Sequence, residues 1–162
     1  HQLADENNLA MVTLRAFGIF GENEGSHKFF PHLILSSLKG GNVDLTACQQ
    51  YRDYLYVENI IDAFLLAARE KECRNEIFNV GSGEIHPLQY YVDQVFGLME
   101  TEAQPRFGAL PYRPDEMWRP QPDIGKIQRR LNWKQRISLG EGLVRTINWY
   151  RENAYLYWGT GR

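Results

Sequence analysis

The chain has 162 residues, 43% of them hydrophobic and 23% charged, and a formal net charge of -2 at pH 7. That balance is ordinary for a globular protein and excludes a disordered segment, and the absence of any run of like charges argues against a nucleic-acid-binding surface. No apolar stretch approaches the ~20 residues of a membrane span, and the opening HQLADENN lacks the basic-then-apolar order of a signal peptide, so no membrane partner and a cytoplasmic location are expected. Cys48 and Cys73 lie far apart with no histidine at ligand spacing nearby, which reads as reduced thiols and no metal site.

From the amino terminus, Leu3 to Leu9 reads as the last turns of a helix, ended by Asn7-Asn8, a pair that tolerates left-handed backbone. Met11 to Phe17 follows as a short apolar strand that stops at a glycine turn, the form of a buried strand whose carboxyl end delivers a loop to a ligand. After the loop GENEGS, Phe29, Phe30, Leu33, Ile34 and Leu38 recur at helical spacing, Pro31 is tolerated near the first turn, and Gly40-Gly41 closes the far end. Val43 to Thr46 and Tyr51 to Val57 read as strands. From Val57 the apolar positions Ile60, Ile61, Phe64, Leu65 and Ala68 change the period from two to 3.6, so a strand runs directly into an amphipathic helix. Glu76 to Val80 is a further strand, stopped by Gly81-Ser82-Gly83, and Pro87 starts a helix that carries Leu88, Tyr91, Val92, Val95 and Met99. Asp123 is placed to cap a helix through Leu131, and Ser138 with Glu141 forms a capping box ahead of Leu143, Ile147 and Tyr150. Strands separated by helices predict an α/β fold with mostly parallel pairing. The strands are too few for a complete doubly wound sheet, so the sheet is expected to continue outside this chain.

Few side chains carry chemistry by type and spacing alone. Arg52 stands among Tyr51, Tyr54 and Tyr56, and a partly buried guanidinium needs carbonyl or anionic partners. Those partners are either a local carboxylate, Asp53 included, or a ligand phosphate. Arg113, in the proline-rich PYRPDEMWRP, reads by itself as a solvated charge. The loop GSGEIH lacks the third glycine of a dinucleotide loop and reads as a turn. His27, His32 and His86 show no triad or ligand spacing, and Phe17 and Phe20 are as well explained by packing as by a ligand. The chain contains no Tyr-x-x-x-Lys pair and no G-x-G-x-x-G fingerprint.

Taken together, MVTLRAFGIFG and YRDYLYVENIIDA resemble the carboxyl-terminal half of the extended short-chain dehydrogenase/reductases, the NAD-dependent epimerase/dehydratase family that modifies nucleotide-activated sugars. PYRPDEMWRP resembles that family's R-x-G-[DE] element, and LNWKQRISLGEGLVRTINWY resembles its closing segment. The resemblance implies that Arg52, in RDYLYV, reaches the diphosphate of a nucleotide sugar, that Arg113 makes a second diphosphate contact, and that Glu116 binds the nucleotide ribose. Asp115 stands where glycine is usual. RAFGIFG resembles R-x-F-N-x-Y-G, whose backbone lies against the nicotinamide; the cofactor-binding residues this implies are Phe17, Gly18 and Ile19. Gly18 replaces the asparagine and loses a side-chain hydrogen bond worth on the order of 1 kcal/mol. Glu58 and Asn59 stand where the family has a pair of acids, and Asn59 is expected to serve as a helix cap.

By the same resemblance the fold is the C-terminal portion of a Rossmann-type parallel sheet plus a small α/β substrate-binding lobe. Residues 1–25 would end the dinucleotide-binding domain and 26–162 would form the nucleotide-sugar lobe with interleaved sheet elements. The cofactor would be NAD or NADP, used for transient oxidation of the sugar during epimerisation, dehydration or reduction. The implied partners are a nucleotide-diphosphate sugar and the N-terminal half of the same enzyme, which holds the glycine fingerprint and the catalytic Tyr-x-x-x-Lys, with a homodimer left open. This chain itself would carry no catalytic residue. The alternative is a free-standing, non-catalytic binding or interaction module.

Overall fold

A computed structural model of the chain describes residues 2–158. Its strands are short and mostly paired in parallel. β1 (Thr13–Ala16) lies beside β6 (Ile77–Val80), with Leu14 opposite Phe78 and Ala16 opposite Val80. β2 (Gly18–Phe20) lies parallel to β5 (Tyr54–Tyr56), and β3 (Val43–Asp44) to β8 (Pro105–Arg106). Only β4 (Tyr51–Arg52) and β7 (His86–Pro87) run antiparallel among the described strands. The helices are α1 (Gln2–Glu6), α2 (Phe29–Leu38), α3 (Val57–Arg69), α4 (Leu88–Met99), α5 (Gly125–Leu131) and α6 (Leu139–Asn153).

Two hydrophobic clusters hold these elements. In the first, α2, α4 and α6 close over an aromatic centre in which Phe20, Phe30, Tyr56, Tyr91 and Tyr150 are buried with Leu33, Ile34, Val95 and Leu143. In the second, α3 and α5 pack on β1 and β6 through Ile60, Ala63, Ala67, Phe78, Val80, Ile127 and Trp133. β5 divides them: Tyr56 belongs to the first cluster and its neighbour Leu55 to the second, as the alternation of side chains along a strand requires.

The predicted helices stand where expected, with local changes. Gly40, at φ +73°, ends α2 in the left-handed turn that glycine favours, and Leu88, Tyr91, Val92, Val95 and Met99 are all buried on α4. Ser138 Oγ accepts the Glu141 N–H at 3.2 Å, but the Glu141 carboxylate turns to Arg145, so half of the capping box forms. Asp123 accepts the Gly125 N–H at 2.8 Å from a position just ahead of the cap residue, Ile124.

Four expectations change, and the first is that the strand predicted over Tyr51 to Val57 breaks at Asp53 into β4 and β5, with Val57 passing to α3. The strand predicted over Met11 to Phe17 contracts to Thr13–Ala16, and the expected turn becomes β2. Glycine is what permits this, because a Cβ at Gly18 would lie 2.4 Å from the Asp53 carbonyl oxygen and 2.7 Å from the Tyr54 ring. On α3 the covered side is Asn59, Ile60, Ala63 and Ala67, while Ile61, Phe64 and Leu65 stay about half exposed. The small alanines let this side of the helix approach the sheet, and Phe64 instead lines an open groove of about 290 Å3 with Val12 and Leu14 of the β1 face.

Asn59 is the fourth change. It does not cap α3, whose cap residue is Tyr56 and has no side-chain bond. Fully buried, its Oδ1 accepts the N–H groups of Arg136 and Ile137 at 3.0 Å each, and its Nδ2 donates to the Ile137 carbonyl at 2.8 Å. Its own carbonyl accepts the Trp133 indole N–H at 3.0 Å. One amide thus holds segment 132–138 against α3. Replacing Asn59 by Ala leaves the Arg136 and Ile137 N–H groups without their acceptor, at about 1–3 kcal/mol each, so the expected loss is roughly 2–6 kcal/mol in a urea unfolding titration.

Candidate functional site

The site begins at β4. Tyr51 donates its N–H to the Trp118 carbonyl at 2.8 Å, and Arg52 Nη1 donates to the carbonyls of Met117 at 2.5 Å and Tyr51 at 2.6 Å. The Tyr112 hydroxyl accepts the Gln49 N–H at 3.1 Å while its ring rests on Trp118. These bonds strap segment 112–118 across β4. A turn closed by Glu116 N–H to the Arg113 carbonyl, 3.2 Å, then sets Arg113 and Glu116 side by side.

Arg52, Arg113 and Glu116 consequently line one cleft of about 420 Å3. Glu116 forms an ion pair with Arg52 Nη2, and both side chains are largely shielded from water. Asp53, considered as a partner for Arg52 from the sequence, is committed elsewhere. Three of the five guanidinium hydrogens of Arg52 are engaged, which leaves Nε and one Nη2 hydrogen for a ligand. Arg113 is exposed, and no described carboxylate pairs with it. The cleft therefore offers one held and one unpaired guanidinium, a combination that suits a ligand with several phosphate oxygens.

The wall under Arg52 is aromatic. Tyr54 stacks on Phe29 at 5.8 Å with the rings 7° from parallel, and meets Phe30 and Tyr91 edge-on at 4.7 and 5.0 Å. The Tyr91 hydroxyl donates to the Arg52 carbonyl at 2.9 Å, and burial pushes the phenols of Tyr54 and Tyr91 well above their ordinary pKa. Both stay neutral at physiological pH. The first N–H groups of α4 are consumed as well: Leu88 donates to the Gln50 carbonyl and Gln89 to that of Cys48, at 2.9 and 3.0 Å. These bonds fix residues 48–50, of which Cys48 and Gln50 line the same cleft although the sequence singled out neither as a ligand residue. The φ of +52° at Cys48 is not legible in a cysteine.

Phe17, Gly18 and Ile19 lie away from that cleft, past the carboxyl end of β1. All three are half-buried; Phe17 N–H donates to the Val80 carbonyl at 3.0 Å and Ile19 packs against the second cluster. A larger cavity of about 480 Å3 opens between the Ser82 turn, His86 and the start of α6. Its arginine, Arg136, is already paired with Asp62, which leaves that cavity without a free guanidinium among the described residues. Among the described residues no group of His, Cys, Asp and Glu could hold a metal ion, and no helix is long and apolar enough to cross a membrane.

Parallel strand pairs covered by helices, with a ligand-sized cleft beside them, define a Rossmann-type α/β protein. The chain superimposes on the structure of epimerase Mth375 from Methanothermobacter thermautotrophicus with a TM-score of 0.90 and 25% identity, over 98% of this chain and 48% of that one. Residues 1–81 match the model of the NAD dependent epimerase/dehydratase family, and the chain belongs to that family. Among curated proteins it is 28% identical to the uncharacterized protein MJ1055 of Methanocaldococcus jannaschii, over 90% of this chain and 44% of that protein. It is 25% identical to a trifunctional UDP-glucose 4,6-dehydratase, epimerase and reductase of Arabidopsis thaliana, over 93% of this chain and 22% of that protein. The chain thus spans less than half the length of either relative.

Asp53 is the residue on which the cleft is mounted, and sequence reasoning assigned it no more than a pairing with Arg52. It is 2% exposed and accepts the N–H groups of Ser82 and Gly83, both at 2.7 Å. A Cβ at Gly81 would lie 2.9 Å from its Oδ1, so the glycine turn is shaped around this carboxylate. Burial raises the Asp53 pKa against the opposing pull of the two N–H bonds. Replacement by Asn turns an NH2 toward one of those N–H groups, with an expected loss of about 1–3 kcal/mol. Because the folded carboxyl holds its proton more tightly than the unfolded one, its contribution to stability falls as pH rises from the usual aspartate range through the raised folded value. Urea titrations across that range should show the slope in the native protein and a smaller one in Asp53→Asn.

Proposed function

We propose that this chain is the nucleotide-sugar-holding part of an NAD- or NADP-dependent enzyme that epimerises, dehydrates or reduces a nucleotide-diphosphate sugar. The observation that carries the reading is the convergence of Arg52 and Arg113, sixty-one positions apart in sequence, on one cleft. In this reading the two guanidinium groups take the diphosphate and Glu116, held beside Arg52, accepts from the ribose hydroxyls. The Arabidopsis relative, whose name specifies a UDP-linked glucose, supports this class of substrate.

The glycine fingerprint and the Tyr-x-x-x-Lys pair belong, on this proposal, to an N-terminal half outside these 162 residues. Residues 1–25 complete its sheet and 26–162 form the sugar-nucleotide lobe, with β6 returning beside β1. NAD(P) when bound accepts and returns a hydride. Phe17, Gly18 and Ile19 fit a place beside it, because they follow β1 where its carboxyl end meets that of β6, the position at which parallel sheets of this type hold ligands. Their part is to wall the ring and exclude water. The open groove of Val12, Leu14 and Phe64 favours this reading over a free-standing module, since it leaves apolar surface for a covering unit. The two closed clusters favour the module. The reading frame upstream of His1 separates them: a fingerprint and a Tyr-x-x-x-Lys pair there establish the enzyme, and a start codon with neither establishes the module.

Calorimetric titration with uridine diphosphate tests the diphosphate assignment. Arg113→Ala should weaken binding by roughly 1.5–3 kcal/mol, the range for hydrogen bonds to charged groups. Arg52→Ala should cost more, because it also leaves the Glu116 carboxylate unpaired and facing the phosphates. Unchanged affinity in both variants would sink the assignment.

A further inference from the structure

The arginines and carboxylates that line the cleft cancel in charge. Arg52 and Arg113 face it as cations, Asp44 and Glu116 as anions, and no other Arg, Lys, Asp or Glu lines it among the described residues. Glu116 is engaged by Arg52. Arg106, outside the lining, donates from Nε to Asp44 Oδ1 at 2.5 Å and holds that carboxyl below the ordinary carboxylate range. A diphosphate ester adds two negative charges, so its bound state calls for positive charge beyond what two partly offset arginines supply.

Two histidines stand at the rim of the same cleft. His27 and His32 line it, both are exposed, and neither imidazole has a hydrogen-bond or ion-pair partner among the described residues. The Lys28 N–H donates to the Gly25 carbonyl and the His32 N–H to the Lys28 carbonyl, both at 2.9 Å, so one turn fixes the backbone under both rings. A Cβ at Gly25 would lie 2.8 Å from the His27 Cε1, so that ring is folded over the bare glycine. On the same stretch of chain the charged neighbours are Glu24, whose carboxyl burial raises against the pull of Lys28, and Lys39. Tyr157 meets His32 from the carboxyl-terminal segment, and the Cys48 thiol on the cleft wall is pushed up by burial and stays neutral. No carboxylate is bonded to either ring, so a proton gained there adds positive charge to the cleft. Histidine changes charge between about pH 5 and 8, and a nearby anion favours its charged form. We propose that His27 and His32 complete the cleft as proton-gated cations, taking up protons when the diphosphate ester binds, so that affinity for the nucleotide sugar rises as pH falls through the histidine range. This inference rests on the diphosphate assignment of Arg52 and Arg113.

The test is calorimetric titration with UDP-glucose, dTDP-glucose and CDP-glucose, diphosphate diesters whose phosphates do not titrate in this range, on the protein and on the double variant His27→Gln/His32→Gln. Both side chains are exposed, so the double variant keeps the fold. A unit charge at about 4 Å is worth about fivefold even in bulk water, so two histidines should tighten binding at least about tenfold between about pH 8 and pH 5.5. Titrations near neutral pH in phosphate and in Tris, buffers of different ionisation enthalpy, should show net proton uptake on binding. The double variant should lose the uptake and the pH dependence together, and match the unsubstituted protein at about pH 8. Arg113-dependent binding that takes up no proton and does not change with pH overturns the histidine proposal alone. So does a double variant that keeps the pH dependence, or one weakened by the same factor at every pH, which would mean hydrogen bonds from neutral rings. Failure of all three probes to bind overturns the diphosphate assignment and this proposal with it.

Discussion

The organisation of this protein depends on one buried carboxylate. Asp53 joins the successive strands β4 and β5 to the turn at the end of β6 through two short N–H bonds, and it does so from between the two hydrophobic clusters. Remove that link and the strand that carries Arg52 is no longer referred to the β1–β6 pair. The residues on either side of Asp53 point to different tasks. Arg52 reaches the cleft and Tyr54 builds its aromatic wall, so site and scaffold are adjacent links of one stretch of backbone.

The electrostatics of the cleft are local. A chain with net charge -2 has no diffuse positive field with which to attract an anion, so recognition must come from placed guanidinium groups. One of them, Arg52, is aligned by two carbonyls and the Glu116 carboxylate. The other, Arg113, is exposed on a strap tied down at Tyr51, Arg52 and Gln49. Order at the first and freedom at the second divide the work between geometry and charge.

Much of the fold is legible in the sequence because it rests on periodicity. The helices from Phe29, Val57, Leu88 and Leu139 follow from apolar spacing and from stop signals such as Gly40, and the parallel character follows from the alternation of strand and helix. What escapes periodicity is any feature set by a distant partner. The strand at Gly18 depends on the close approach of Asp53 and Tyr54, and the covered side of α3 depends on which residues the sheet can admit. Asn59 looks like a cap by its place in sequence, yet its bonds go to residues nearly eighty positions away. In the candidate site the arginines are legible through their motifs. Gln50 and Asp53 are not, since neither type nor spacing distinguishes a buried acceptor from a surface one.

The division of the interior by β5 carries a further consequence. Leu55 serves the second cluster and Tyr56 the first, while the Tyr54 ring packs against the first as well. A slip of one residue in the pairing of β5 with β2 would send both phenols into the second cluster and a leucine into the first. Both interiors would be spoiled by a single error, so this strand has one tolerable register. Arg52 lies two residues upstream on the same stretch of backbone and inherits that register. The accuracy with which a cation is presented in the cleft is thus a by-product of keeping two hydrophobic interiors apart.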